Sequence, residues 1–529
     1  MARLLHELIL EQADRHPEAA AIVHRQMTIN YADLAGLMQG AARGLLALGL
    51  NRAERVAVYL SKRLETVAAL FGAALAGGVF VPINPLLKPE QVAYILRDCN
   101  VRVLVTARDR AELLQPLLTD CPDLHSLVLV DGPIARPSPT RPVQIIDWPM
   151  LLSSNDHRPP ARAIDLDMAA ILYTSGSTGK PKGVVLSHRN LLTGACSVAD
   201  YLENRAEDRI LAVLPFSFDY GLSQLTTAFV AGARAVLMDY LLPRDVINTV
   251  AREGITGLAA VPPMWVQLAL LDWPEAAVAG LRYITNSGGA MPRATLDALR
   301  RSLPNTTPYL MYGLTEAFRS TYLSPTELDR RPDSIGKAIP SAEVLVVRED
   351  GTPCTPGEPG ELIHRGSLVA LGYWNDPAKT AERFRPVPNQ NPGLPIPELA
   401  VWSGDTVRMD EDGFLYFIGR KDDLIKTSGY RVSPTEIEEV LYSSGHVAEA
   451  AALGIRHPAL GQAIVAVVKR LREDLSENGL ITHCRQHLPN FMVPLQIVIR
   501  TRSLPRNPNG KIDRKALVEE LRGLFQEEG

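Results

Sequence analysis

The stretch YTSGSTGKPKG, residues 173–183, packs three glycines, four Ser or Thr hydroxyls and two lysines into one loop. Gly176, Gly179 and Gly183 let backbone N–H groups turn toward an anion, and Ser175, Ser177 and Thr178 add donors. Lys180 and Lys182 supply charge for a polyphosphate. This is not the usual G-x-x-x-x-G-K-[ST] loop. Thr174 stands where its first glycine belongs, and Pro181 stands where the magnesium-binding hydroxyl belongs. The proline also prevents an immediate run into a helix. Without that hydroxyl a carboxylate must hold the metal, and Glu316 of YGLTEA, beside Thr315, is placed for it. A T-E pair after a turn also reads as a helix cap. Asp405 in WSGD suits a diol and Arg420 in GRKDDLIKTSGYRV suits a phosphate, although a lone acid at a strand edge is usually solvated. Lys511 follows two prolines and a glycine in PRNPNGKIDRK; out of context that would be a basic tail.

These residues are spread over 529 positions, a length that implies two to four domains. Hydrophobic content of 46%, charged content of 22% and a formal net charge of −4 describe an ordinary soluble protein and argue against nucleic acid as main partner. Five scattered cysteines form no C-x-x-C pair and read as reduced packing thiols of a cytoplasmic protein. The most apolar stretch, from Val67, is broken by glycines and stopped by Pro82. It reads as a buried helix, a turn and a strand and is badly composed for a membrane span. Strand-like runs (RVAVYL, VFVPI, RVLVTA, SLVLV, DMAAILYT, RAVLMD, GLAAVP, LRYITN) alternate with helical patterns, which signals α/β layers with largely parallel strands. PIARPSPTRP, 133–142, reads as a surface connection. Short alternating strands from about residue 335 predict a β-rich subdomain, and a compact α+β segment follows from Lys421. The expected division is therefore 1–420, a large N-terminal domain, and 421–529, a small C-terminal domain.

Taken together, YTSGSTGKPKGV, YGLTE, SGD, GRKDDLIKTSGYRV-x-P-x-EIE and the P-x-x-x-x-GK-hydrophobic-x-R ending resemble one family in order and spacing across essentially the whole chain. It is the adenylate-forming superfamily: acyl-CoA synthetases, aryl-CoA ligases, luciferase and nonribosomal peptide adenylation domains. LPFSFDYGLSQL and PRNPNGKIDRKAL are also similar to the AMP-forming ligases found beside exosortase systems. The resemblance implies an acid–thiol ligase. ATP·Mg²⁺ and a carboxylate give an acyl-adenylate and pyrophosphate. The thiol of CoA, or of a separate carrier protein's phosphopantetheine, then displaces AMP.

It further implies that Thr174 to Lys182 hold the β- and γ-phosphates, and that Gly288, Gly289 and Ala290, with Tyr312 and Gly313, bracket the adenine. Thr315 would touch the α-phosphate, Glu316 would hold Mg²⁺, and Asp405 would take the ribose hydroxyls with Arg420 nearby. Lys511 would bridge carboxylate and α-phosphate as charge builds up. The C-terminal domain would rotate about Asp422 and bring the loop around Gly429 to the thiol tunnel. The acid is addressed by Phe218 and Asp219. Fatty and aryl acyl-CoA synthetases commonly carry P-x-F-H and an apolar residue here, whereas amino-acid adenylation domains carry F-D, the carboxylate taking the substrate's ammonium. Asp219 as a mere cap of the following helix is the competing reading.

Overall fold

The computed structural model describes residues 2–132, 143–156, 158–174, 181–393, 395–420, 424–427, 430–457, 460–473, 475–507 and 510–525. The proline-rich segment 133–142 lies outside them. The β-branched runs form strands as expected, because a strand buried on both faces reads as a continuous apolar run. Arg55–Tyr59, Val79–Pro82, Val101–Thr106, Ser126–Leu129 and Gln144–Asp147 pair in parallel within one eight-stranded sheet. The helix Leu64–Leu75 before Val79–Pro82 is buried almost all round, and at Gly72 its backbone approaches the helix Tyr31–Ala47 so closely that a Cβ would lie 2.8 Å from that of Ala41.

The same sheet delivers the glycine-rich loop. Met168–Thr174 and Lys182–Ser187 are antiparallel neighbours, with Thr174 opposite Lys182. The described residues on either side of the loop are thus antiparallel strands, in keeping with Pro181, and the helix His188–Tyr201 starts only after the second. That helix opens with a capping box: the Ser187 hydroxyl accepts from the Asn190 N–H (3.1 Å) and the Asn190 side chain accepts from the Ser187 N–H (2.9 Å). The Asn190 amide donates onward to the carbonyls of Ser367 and Val369, so the cap also anchors a distant segment.

A second sheet has fourteen strands among the described residues. Its parallel part comprises Ala20–His24, Arg234–Leu237, Arg209–Ala212, Gly257–Ala260, Tyr283–Asn286 and Thr307–Tyr312. The β-rich strands that follow are hydrogen-bonded onto this sheet through Thr321–Leu323 and Ser334–Ala338, and run on to Leu415–Arg420, Leu399–Met409, Pro359–Gly366 and Ala342–Val347. A third sheet of five strands, beginning at Ile425–Thr427, carries the helices Pro434–Ser443, Glu477–His487 and Arg514–Glu520 around its own core of Ile437, Leu441, Ile464 and Val468. No helix among the described residues is long and apolar enough to cross a membrane.

One glycine decides how the helix Asp219–Ala231 docks. A Cβ on Gly221 would sit 1.9 Å from the Pro215 carbonyl oxygen, so only glycine lets the first turn fold back on the preceding segment. Gly221→Ala is therefore expected to destabilise the protein by about 1–3 kcal/mol. Gly36→Ala, in a helix where a Cβ meets nothing within 4 Å, is expected to stabilise it by roughly 0.5–1 kcal/mol. Urea unfolding midpoints of the two variants check both signs.

Candidate active site

Lys182, at the start of the strand leaving the glycine-rich loop, points at Glu316. Its Nζ donates to Glu316 Oε1 at 3.0 Å and to the Tyr373 hydroxyl at 2.7 Å, and Tyr373 donates to the same Oε1 at 2.5 Å. Tyr373 reaches the group because the two-residue strand Gly372–Tyr373 pairs with Lys182–Ser187. Glu316 lies in the short 3₁₀ turn Thr315–Ala317, whose position is held from behind by the Ala370 N–H bonding to the Glu316 carbonyl (2.8 Å). Ala370 belongs to the segment that Asn190 anchors. Burial alone would raise the Glu316 carboxyl, but Lys182, Arg383 and the Tyr373 hydroxyl outweigh it and hold it at about 2. Burial lowers the Lys182 ammonium below the ordinary lysine value against the pull of Glu316. Glu316 is thus an ionised carboxylate and no helix cap.

Asp405 and Arg420 face each other across adjacent strands, in register in the antiparallel pair Leu399–Met409 and Leu415–Arg420. Arg420 Nε lies 3.2 Å from Asp405 Oδ1, and the Tyr312 hydroxyl donates to Asp405 Oδ2. Burial still pushes the Asp405 carboxyl up, with Arg420 and Tyr312 pulling it back. The Tyr312 ring is flanked by His364 and Phe417, their centroids 6.0 and 6.2 Å away.

The turn after Tyr283–Asn286 needs glycine at 288, where φ is +85°, and the Asn286 amide ties it by donating to the Gly289 carbonyl (3.0 Å). Ala290 follows, exposed. Gly313 is closely packed: a Cβ there would lie 3.0 Å from the Phe318 carbonyl oxygen. A Cβ on Gly288 would meet Lys511 Cε at 3.6 Å and the Phe218 ring at 3.9 Å. Lys511, from the far end of the chain, therefore stands over this turn. It is held by a local turn in which its N–H donates to the Asn507 side chain (3.1 Å) and its carbonyl accepts from the Asn507 N–H (2.8 Å). Lys511 keeps solvent access through the open cleft, yet its ammonium sits among protein groups. Burial lowers it, while Asp219, Asp405 and Glu316 raise it.

Asp219 is 5% exposed and accepts from the Thr315 hydroxyl at 3.2 Å. The cap reading needs correcting: Phe218 occupies the cap position without a side-chain bond, and Asp219 is the first residue of the helix itself. Its charge still suits the helix N-terminus. Burial raises its carboxyl, and Arg319, Thr315 and Lys511 pull it back.

The structure thus brings together Lys182, Glu316, Thr315, Asp219, Phe218, Gly288 and Lys511, with Asp405, Arg420 and Tyr312 alongside. Among the described residues the buried Thr174 hydroxyl, at the entry to the loop, has no partner. Ser175, Gly176, Ser177, Thr178, Gly179 and Lys180, as well as Asp422 and Gly429, lie outside the described residues. Sequence reasoning missed Tyr373, Arg383 and Arg319. None of the three left a clear signal: Arg319 stands in FRSTYL, a mixed polar and apolar stretch after YGLTEA.

Comparison with known proteins shows the family and the fold. The AMP-binding enzyme family matches residues 9–374, and its C-terminal domain family matches residues 436–511. The long-chain-fatty-acid–CoA ligase of Salmonella typhimurium is 30% identical over 98% of this chain and 95% of its own length. Gramicidin S synthase 2 of Aneurinibacillus migulanus is 30% identical over 96% of this chain, which spans only 11% of that protein. Among solved structures, o-succinylbenzoate CoA synthetase from Bacillus subtilis, in complex with its acyl-adenylate intermediate, superposes with a TM-score of 0.81 at 27% identity, covering 96% of this chain and 97% of that one. An anthranilate CoA ligase in complex with anthranoyl-AMP shares the fold with a TM-score of 0.88 at 24% identity, over 98% of this chain and 97% of that one. A family match that covers well over half the sequence, with catalytic-type side chains converging from both ends of it, makes the chain a member of the AMP-binding enzymes, the adenylate-forming superfamily.

Proposed function

We propose that the protein is an AMP-forming acid–thiol ligase. The observation that carries this is Lys511 standing over the Gly288 turn, amid Asp219, Asp405 and Glu316. In the first step a carboxylate oxygen of the acid attacks the α-phosphorus of ATP, and the bond to the bridging oxygen of pyrophosphate breaks. Two anions must approach, so fixed cations at the point of attack lower the barrier. Lys511 spans the carboxylate and the α-phosphate, and Thr315 donates to the latter. Thr174 to Lys182 hold the β- and γ-phosphates. Asp405 takes the ribose hydroxyls beside Arg420, and Gly288, Gly289, Ala290, Tyr312 and Gly313 bracket the adenine.

Glu316 fits a magnesium ion. Its carboxylate is ionised and both of its hydrogen bonds fall on Oε1, which leaves the second oxygen as ligand. The metal, when bound, neutralises phosphate charge. In the second step a thiol sulfur attacks the acyl carbon, the bond to AMP breaks, and the thiol proton leaves to solvent. CoA is the acceptor we favour, because a relative matched over 95% of its own length is a CoA ligase. The C-terminal unit from residue 421 rotates about Asp422 between steps and exposes the Gly429 loop to the thiol.

A second reading is a stand-alone amino-acid-activating enzyme loading a carrier protein. Asp219, a buried carboxylate beside the reaction centre, favours it. Against it, Arg319 and Lys511 already supply positive charge to that carboxylate, so no substrate ammonium is required.

Lys511→Ala is expected to slow pyrophosphate release by roughly 10²–10³, with ATP binding retained. An unchanged rate would remove Lys511 from the chemistry. Asp422→Pro is expected to leave adenylation intact and slow thioester formation; equal slowing of both half-reactions would sink the hinge assignment. Glu316→Gln is expected to cost about 1–3 kcal/mol of stability at neutral pH, because Lys182 loses its partner. The folded Glu316 carboxyl sits at about 2 against an ordinary 4.5. Its contribution is therefore present above about pH 4.5 and fades as pH falls toward 2. Acid-unfolding curves of the wild type and variant should converge across that window.

A further inference from the structure

One buried cation, Arg319, has no direct part in either of the two steps above. Arg319 is 1% exposed. Its Nη1 donates to the Ser287 hydroxyl at 3.0 Å and its guanidinium lies 4.6 Å over the Tyr220 ring, but Nε and Nη2 are buried without a hydrogen-bond partner among the described residues. Gln224, 4% exposed, is one helical turn beyond Tyr220, and its Nε2 is buried and unpartnered as well. Both side chains line one cavity of about 20 Å³, together with Tyr220, Thr227, Thr285 and Met311. That is room for about one water. Buried N–H donors are almost always satisfied, and three orphaned N–H-bearing nitrogens converging on one cavity call for an acceptor.

The backbone supports the same reading. Phe318, the residue before Arg319, has φ +54° and ψ −82°, a strained conformation for an aromatic residue, and its ring is locked against Gly194, where a Cβ would lie 2.2 Å away. This strained turn directs Arg319 inward, four residues after Thr315. Asp219, one residue from Tyr220, bears on Arg319 from the reaction-centre side and offsets its charge.

On the ligase reading above, we infer that the acid activated here carries a second oxygen on its chain, which Arg319 and Gln224 bind as donors. The cavity has room for that one oxygen, and a carboxylate, oxo or hydroxyl oxygen meets the requirement. A plain aliphatic chain leaves the donors unsatisfied.

The test is hydroxamate formation by the full-length protein with ATP·Mg²⁺ and hydroxylamine. The acids are matched four-carbon ones, butyrate against 3-hydroxybutyrate, acetoacetate and succinate, with palmitate and small amino acids alongside. At least one oxygen-bearing acid is expected to exceed butyrate and palmitate by about 10²-fold or more in kcat/KM. Arg319→Met should shrink that ratio to within about tenfold, whatever it does to the absolute rates. Gln224→Leu should shift it in the same direction, and carries the test if Arg319→Met does not fold. Equal use of butyrate or palmitate overturns the inference and leaves the ligase reading standing. So does a preference for amino acids that survives Arg319→Met. No hydroxamate from any acid, with ATP still bound, removes the ligase reading and this inference with it.

Discussion

An enzyme that must join two anions has to keep cations ready where neither anion is yet bound, and the fold is organised around that constraint. Carboxylates stand among the cations of the site. Lys182 is paired with Glu316, Arg420 with Asp405, and Asp219 lies within the fields of both Arg319 and Lys511. A buried charge left alone is very costly, whereas a paired one is tolerated. The carboxylates thus make the cations tolerable in the folded protein, and on the function proposed above they would be free for ribose or metal once phosphates arrive.

Pairing of this kind cannot come from one stretch of chain. Lys182 rises from the eight-stranded sheet, Glu316 and Arg319 from the end of the parallel part of the fourteen-stranded sheet, Asp405 and Arg420 from its antiparallel extension, and Lys511 from the third unit. The rigid frame is shared through few bonds. Asn190 caps its own helix and grips residues 367–369, and the adjoining Ala370 N–H holds the Glu316 carbonyl. The capping of one helix is therefore coupled to the placement of a carboxylate more than a hundred residues away.

The strands were legible because their causes are local. β-branched runs make buried strands, and a proline after Lys180 denies the loop a helix, which is why the chain returns as the antiparallel strand Lys182–Ser187. Glu316, Asp405 and Lys511 were legible only by resemblance, since a lone acid or a basic turn carries no chemistry by itself. Tyr373 was invisible: its role rests on a two-residue strand pairing with a segment nearly two hundred residues earlier. Asp219 reads as a possible cap in the sequence because helix boundaries shift by a residue, and here Phe218 takes the cap position.

Thr315, Glu316 and Arg319 fall within five residues, and the strained Phe318 lies between the group facing the reaction centre and the group facing the acid cavity. The backbone stretch that places Thr315 and Glu316 therefore also places Arg319. On the reading proposed above, acid preference and adenylation would be set by side chains of one short stretch, of which Arg319 can be exchanged without moving the backbone it shares with Thr315 and Glu316. That stretch is held by the close packing of Phe318 against Gly194.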